Sequence, residues 1–417
     1  MTDLIVGAEL IAEITRIAHG GEGIAVINGC VVFIHGGLPG DKAQVRIVEK
    51  QKKFARADLI KVVEPSDIRV ESRCQAAAQG GGCCGFATVD PSQELSLKET
   101  IVRDQLQRVG GVQQLLVPER IDLQPSQHWR TRIRLGVDEH GRAGVRKRAS
   151  NEIIIGTECS QAVTGLFDAI KDVRFSPGSE VVAVKDDFGE IHVVEISKAP
   201  RGRRSEKITR VISGDKLATQ IVDGFSFRLP ATGFWQAHIH AAQAYSDIIS
   251  RWLEERYAAA TTNAPVAWDL YGGVGVFVPA LARALGNKVA IHSVESSPTC
   301  ARSGEEALVG LAAKKVTFHS ASVEKALGQL PHPHVVVLDP PRTGAGEDVI
   351  RAIATTDPQC IVHIGCDPAT FARDIRTWSN AGYTIDKWVV VNAFPGTHHV
   401  EVLALLRPAN LIDAEKR

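Results

Sequence analysis

VAWDLYGGVGVF, residues 266–277, is the stretch on which the fold turns. An apolar run closes at Asp269-Leu270-Tyr271 and passes directly into Gly272-Gly273-Val274-Gly275. A strand that breaks into a glycine-rich turn is the first strand-to-helix junction of an open α/β sheet, where bare backbone lets a cofactor come close. The next strand, AIHSVE, ends in Glu295, where a carboxylate accepts hydrogen bonds from ribose hydroxyls. The last glycine of the dinucleotide pattern GxGxxG is missing. A nucleoside cofactor such as S-adenosylmethionine is therefore expected rather than a pyrophosphate. The bland alternative is a plain glycine turn, and the placement of Glu295 argues against it.

Outward from this junction the pattern repeats. From Gly233 a helix is predicted over about 236–258, followed by alternating helices and the strands VAWDLY, AIHSVE, VTFHS, VVVLDP, CIVHIGC, TIDKWVVVNAF and VEVLALLRP. Such alternation predicts a doubly wound, Rossmann-like α/β sheet over residues 229–408. Only PGTHH joins the last two strands, so they should form an antiparallel hairpin at the end of the sheet. The polar residues 409–417 read as a loose tail. At the other end, residues 1–65 hold five short strands with turns between them, the signature of a small OB-like barrel. Residues 66–228 read as a mainly β central domain that opens with a cysteine-bearing segment and a helix over 92–110, which packs on the catalytic domain.

Composition narrows the function. The 417 residues are 44% hydrophobic and 23% charged, with 48 basic residues against 48 acidic. No apolar run nears the roughly 18 residues that cross a bilayer, and the N-terminus has no signal-peptide pattern, so a cytoplasmic protein without a membrane partner is expected. In that compartment the eight cysteines are not disulfides. Charge is uneven: Arg130, Arg132, Arg134, Arg142, Arg146, Lys147 and Arg148 crowd one stretch, and Lys198, Arg201, Arg203, Arg204, Lys207 and Arg210 another. Either stretch could follow phosphates or be solvated surface.

Three further segments carry chemistry. The strand before Asp339-Pro340-Pro341-Arg342 delivers Asp339 to the carboxyl end of the sheet, where open α/β sheets bind ligands. In IGCDPATFARD, residues 364–374, Asp367 is an N-cap and Pro368 fits the first helical position. Cys366 thus precedes a helix N-terminus, whose dipole favours a thiolate nucleophile. The last hairpin brings His398, His399 and Glu401 to the same rim.

Together these motifs resemble the RNA 5-methyluridine methyltransferases, S-adenosylmethionine-dependent enzymes that carry an N-terminal TRAM domain and an iron–sulfur cluster. GGEGIAVINGCVVFIHGGLPGD resembles the TRAM core, FWQAHIHAAQ the phenylalanine–glutamine motif and DLYGGVGVF the cofactor loop. LDPPRTGAG resembles the DPPR motif, GCDPATFARD the nucleophile segment and FPGTHHVEVLALL the base motif. The resemblance covers nearly the whole chain. It implies Cys366 as nucleophile, Glu401 as general base and Asp339 on the uracil edge. It also implies Gln236, Tyr271, Gly272, Gly273, Gly275, Glu295 and Asp339 around the cofactor, and structured RNA, ribosomal or transfer, as the substrate of a monomeric enzyme. RNA cytosine-C5 methyltransferases place a second cysteine after the paired prolines, and Arg342 stands there instead. An RNA-binding or maturation factor without catalysis would lack Cys366, Asp339 or Glu401, and all three are present. His238 departs from the family's usual Asn, and Asn392 from a common acidic residue. The resemblance further implies a [4Fe–4S] cluster on Cys74, Cys83, Cys84 and Cys159, although CQAAAQGGGCC lacks the family's spacing. Four thiolates also suit Zn²⁺, or they could be free thiols.

Overall fold

A computed structural model of the chain describes residues 4–199, 207–257, 264–286, 288–312 and 316–415. Its largest sheet has eight strands, in the order Val316–Ser320, Ala290–Glu295, Val266–Leu270, Val335–Leu338, Cys360–Gly365, Glu401–Pro408, Tyr383–Asn392, Glu119–Asp122. The first five are parallel, and Glu401–Pro408 runs antiparallel to both of its neighbours. The apolar runs are continuous because both faces are covered. Val335 and Val337 point into a core shared with the helix Ala241–Arg256, whereas Val336 and Leu338 enter a second core with Phe371 and Ile375 of the helix Pro368–Asn380.

Several expectations need correction. The closing hairpin forms, but Glu401–Pro408 sits inside the sheet and Tyr383–Asn392 lies beyond it. The edge belongs to Glu119–Asp122, which pairs in parallel with Tyr383–Asn392 and comes from the region assigned to the central domain. The helix Pro91–Arg108 packs on the helix Pro368–Asn380, as expected for a segment that docks on the catalytic domain. The expected helix over 236–258 starts at Ala241. Residues before it stay extended because their backbone bonds elsewhere: Thr131 N–H donates to Ala237 C=O at 3.1 Å and Ile239 N–H to Trp129 C=O at 3.0 Å. The tail is not loose over its described part, since Ala409–Glu415 is helical and Ile412 is buried.

The N-terminal sheet runs Glu9–Glu13, Lys42–Lys50, Phe54–Glu64, Cys30–His35, Gly23–Ile27, Arg16–Ile17 around a core that includes Val32, Ile34, Val45 and Ala57. The first expected strand divides at Ile14, whose N–H bonds Asp41 while Thr15 N–H turns to Ile24. Arg132–Val137 and Glu180–Lys185 centre the mainly β middle sheet. The hairpin Leu217–Val222 and Phe225–Pro230 bridges it to the catalytic core: Ala218 packs on the middle sheet and Phe227 under the helix Ala241–Arg256. Most of the first basic stretch is paired, with Arg134 and Arg146 on Glu180, Arg142 on Asp138, Lys147 on Glu152 and Arg148 on Asp58. Arg201, Arg203 and Arg204 of the second stretch lie outside the described residues. Among the described residues no helix is long and apolar enough to cross a membrane.

Candidate active site

A cavity of about 940 Å³ opens at the carboxyl ends of the central strands. It is lined by Gln236, Tyr271, Gly272, Gly273, Glu295, Asp339, Cys366 and Glu401. Every expected catalytic and cofactor residue except Gly275 therefore meets in one space. Gly275 lies below it, with φ +75°, and a Cβ there would come 2.9 Å from Phe318.

The cofactor side is built by the strand Val266–Leu270. Asp269 is buried and accepts a hydrogen bond from Ser293 Oγ at 2.8 Å. Gly272 passes directly over this pair, and a Cβ there would lie 2.3 Å from Asp269 Oδ2. Tyr271 takes the left-handed conformation at φ 58°, which swings the loop into the cavity. Glu295 accepts from Gly273 N–H at 3.1 Å and from Ser297 N–H at 2.6 Å, so the expected ribose acceptor is oriented by the loop it faces.

On the reaction side, the strand Cys360–Gly365 is wholly buried and ends at Gly365, where a Cβ would strike the Phe371 ring at 2.5 Å. Asp367 caps the following helix, its Oδ1 accepting from Ala369 N–H at 3.0 Å and Thr370 N–H at 2.9 Å. Thr370 Oγ1 also donates to Arg342 C=O at 2.9 Å, tying the DPPR loop to the nucleophile helix. The electrostatics overturn the expected thiolate. Burial, then Glu401 and Asp339, push the Cys366 thiol up to about 12, with Arg342 opposing them. The helix end is already met by the Asp367 carboxylate, so its dipole does little for the sulfur. Burial raises Glu401 well above the usual carboxylate range, and burial together with Asp269 raises Asp339 to about 7. The resting site holds its protons.

The cysteines converge as their glycines allow. Sγ of Cys83 and Cys84 each lie 3.3 Å from that of Cys159 and 3.6 Å from each other, and all four sulfurs, Cys74 included, fall within 4.8 Å. Gly80 turns the chain at φ +90°, and Gly81 has no room for a Cβ beside Ala76 C=O. The knot touches the cavity through two bonds: Gln161 Nε2 donates to Cys83 C=O at 3.1 Å, and Arg130 Nε donates to Gln161 Oε1 at 3.1 Å. Arg130 stacks on Trp129 and lines the cavity, a role that only its place in the basic stretch hinted at. His399 and Cys300 line it too. His238 does not line it; its ring stacks on Trp129 at 5.5 Å in the interior.

A methyltransferase-type sheet with a nucleoside-sized, carboxylate-lined cavity defines the class. The sequence profile of the TRAM domain matches residues 4–60, and that of tRNA (uracil-5-)-methyltransferase matches residues 236–408. An RNA methyltransferase of Corynebacterium efficiens is 51% identical over 407 residues, covering 97% of this chain and 96% of that one. The 23S rRNA (uracil(1939)-C(5))-methyltransferase RlmD of Shewanella piezotolerans is 28% identical, with 95% of each chain covered. The Pyrococcus abyssi tRNA (uracil-54, C5)-methyltransferase, solved with S-adenosyl-L-homocysteine, shares the fold with a TM-score of 0.70 at 20% identity, over 95% of this chain and 100% of that one. The chain belongs to the TRAM-containing family of S-adenosylmethionine-dependent RNA (uracil-C5) methyltransferases.

Proposed function

We propose that the enzyme methylates C5 of one uridine in structured ribosomal or transfer RNA through a covalent adduct between Cys366 and C6. One observation carries this reading: Cys366, Asp339 and Glu401 line the same cavity as the glycine loop and Glu295. Gly272, Gly273 and Glu295 would hold S-adenosylmethionine, which would supply the electrophilic methyl group. Uracil C5 is too weak a nucleophile to take it unaided. Cys366 Sγ bonds C6 as its proton passes to the ionised form of Asp339, and the C5=C6 electrons move to C5 and O4 as an enolate. Asp339, protonated to about half at neutral pH, can donate to O4 as that charge develops. After methyl transfer Glu401, its own proton first given up to solvent, takes the C5 proton as a carboxylate, the C5=C6 bond re-forms and the sulfur leaves as a thiolate. The target base must be flipped from any stack to enter, which is least costly in an RNA loop.

Mapping of 5-methyluridine by mass spectrometry, in RNA from cells with and without the gene, tests the substrate. One position should lose its methyl group and regain it from the purified protein. With that RNA, Cys366→Ala should leave no product and no adduct, while Glu401→Gln should accumulate a denaturation-resistant protein–RNA complex. Normal turnover by Cys366→Ala would sink the mechanism.

We also infer that Cys74, Cys83, Cys84 and Cys159 hold a metal group. Four convergent, largely buried sulfurs around a glycine turn support this. Family resemblance implies [4Fe–4S]. A second reading has its own support: bonds of about 2.3 Å to one tetrahedral Zn²⁺ put sulfurs nearly 4 Å apart, close to the separations seen here, whereas a cubane needs them spread more widely.

A further inference from the structure

The loop 393–400 carries the reaction site on its two ends. Phe394 and His399 line the cavity, and Glu401 follows directly. Between them, four backbone groups of the turn are held by residues from the first third of the chain. Gly396 N–H is gripped by both carboxylate oxygens of Glu94, at 2.9 and 3.0 Å. Gly396 C=O accepts from Phe86 N–H at 2.9 Å, and Pro395 C=O from Trp129 Nε1 at 3.2 Å. Lys98 Nζ donates to Phe394 C=O at 3.1 Å and to Asn392 Oδ1 at 2.5 Å, and pairs with Glu94 at 2.7 Å.

Glu94 and Lys98 are among the least exposed charged residues of the molecule, at 1% and 0%. A buried ion pair rarely repays the removal of both charges from water, so its retention calls for another role. Each charge here sends hydrogen bonding to the same turn, Glu94 to Gly396 N–H and Lys98 to Phe394 C=O. Lys98 has three protons and three acceptors; Glu94 faces the Gly396 amide, Lys98 and, at 3.4 Å, Arg73. Asn392 also fits this purpose: its Oδ1 takes the lysine while its amide donates to Asp122 at 2.7 Å. An acidic residue there would face Asp122 across that same distance.

We propose that Glu94 and Lys98, on the helix Pro91–Arg108, are positioning residues that fix the turn 393–400 and so aim the Glu401 carboxylate at the C5 proton. The inference rests on Glu401 being the base. It assigns the pair to the second half of the reaction, the resolution of the adduct, and not to cofactor binding, because neither residue borders the cavity.

The test is the double variant Glu94→Gln/Lys98→Met, which keeps volume and removes both charges together so that neither is stranded. With RNA tritiated at uracil C5, methyl transfer and tritium release are followed in the same quenched samples. Methyl transfer to RNA should persist, cofactor Kd should stay within threefold, and tritium release should slow at least tenfold, with protein–RNA adduct accumulating as in Glu401→Gln. Release at the wild-type rate in a double variant that melts as wild type overturns the proposal. If Glu401→Gln itself resolves its adduct normally, the base assignment fails first and the clamp falls with it. If Glu401→Gln stalls and the folded double variant does not, only the clamp fails. Should the double variant not fold, Trp129→Phe removes the indole bond to Pro395 C=O while keeping an aromatic ring beside Arg130 and His238, and the same slow release is expected with cofactor Kd unchanged; release at the wild-type rate would overturn the clamp.

Discussion

Asp339 is a carboxyl that the fold holds partly protonated at the pH at which the cell works. Its pKa is raised, to about 7, above the unfolded value near 4. Stability from such a group is complete below pH 4 and is lost as pH rises through 7. Asp339→Asn should therefore melt with wild type near pH 4 and several degrees above it at pH 8, while losing most activity; thermal melts across that range check the sign. A second expectation concerns Cys366. With its thiol pushed up to about 12, alkylation by iodoacetamide, followed by peptide mapping, should be slow at pH 7 and rise about tenfold per pH unit. Arg342→Ala should slow it further, because Arg342 is the charge that lowers this pKa. Equal labelling of Cys366 and an exposed thiol at pH 7 would contradict the buried thiol.

The strand-turn-helix units explain what was legible in the sequence. Val335–Leu338 and Cys360–Gly365 announce themselves because strands buried on both faces must be continuously apolar, and Asp367-Pro368 because caps are local chemistry. Tyr271, Glu295, Asp339 and Cys366 were legible for the same reason, each standing at or just past the end of a readable strand. Glu119–Asp122 was not: ERID is short, largely exposed and polar, and it becomes a strand only because Val389 to Asn392 offer it an edge. The thiol at Cys366 was misread because what shifts it, burial first and then Glu401 and Asp339, comes from the tertiary fold and not from its own segment. The cofactor turn yields a test at this scale. Gly272→Ala puts a methyl group 2.3 Å from Asp269 Oδ2 and 2.5 Å from Ser293 Oγ, neither able to retreat from the interior. Calorimetry should show cofactor affinity reduced at least thirtyfold with the fold retained; unchanged affinity would mean the loop is not the cofactor's seat.

At the scale of the whole molecule, separate parts of the chain converge on one turn. Gly21 of the N-terminal sheet lies so close to His398 that a Cβ would sit 2.6 Å from it, while Phe86, beside the cysteine knot, bonds Gly396. The knot should therefore matter beyond its own segment. Protein purified without oxygen should contain either iron with inorganic sulfide or one equivalent of zinc, and removing the metal should lower Tm and open the chain to proteolysis near Gly80–Gly82; protein that carries no metal and melts identically after chelation would rule the group out. The order of the sheet has one more implication. Glu401–Pro408 is the last of its strands in the sequence but occupies an interior position, and the edge strand Glu119–Asp122 is the first. A nascent chain cannot lay this sheet down outward in the order it is made. The early strand must wait, unpaired, for a partner almost 270 residues later, and that partner must leave a gap for a strand still to come. Such non-local pairing makes folding slow. It also makes function a last event: a chain stopped at Val400 lacks the strand that joins Cys360–Gly365 to Tyr383–Asn392, and with it the Glu401 wall of the cavity, so the reaction site closes only when the final strand is laid in.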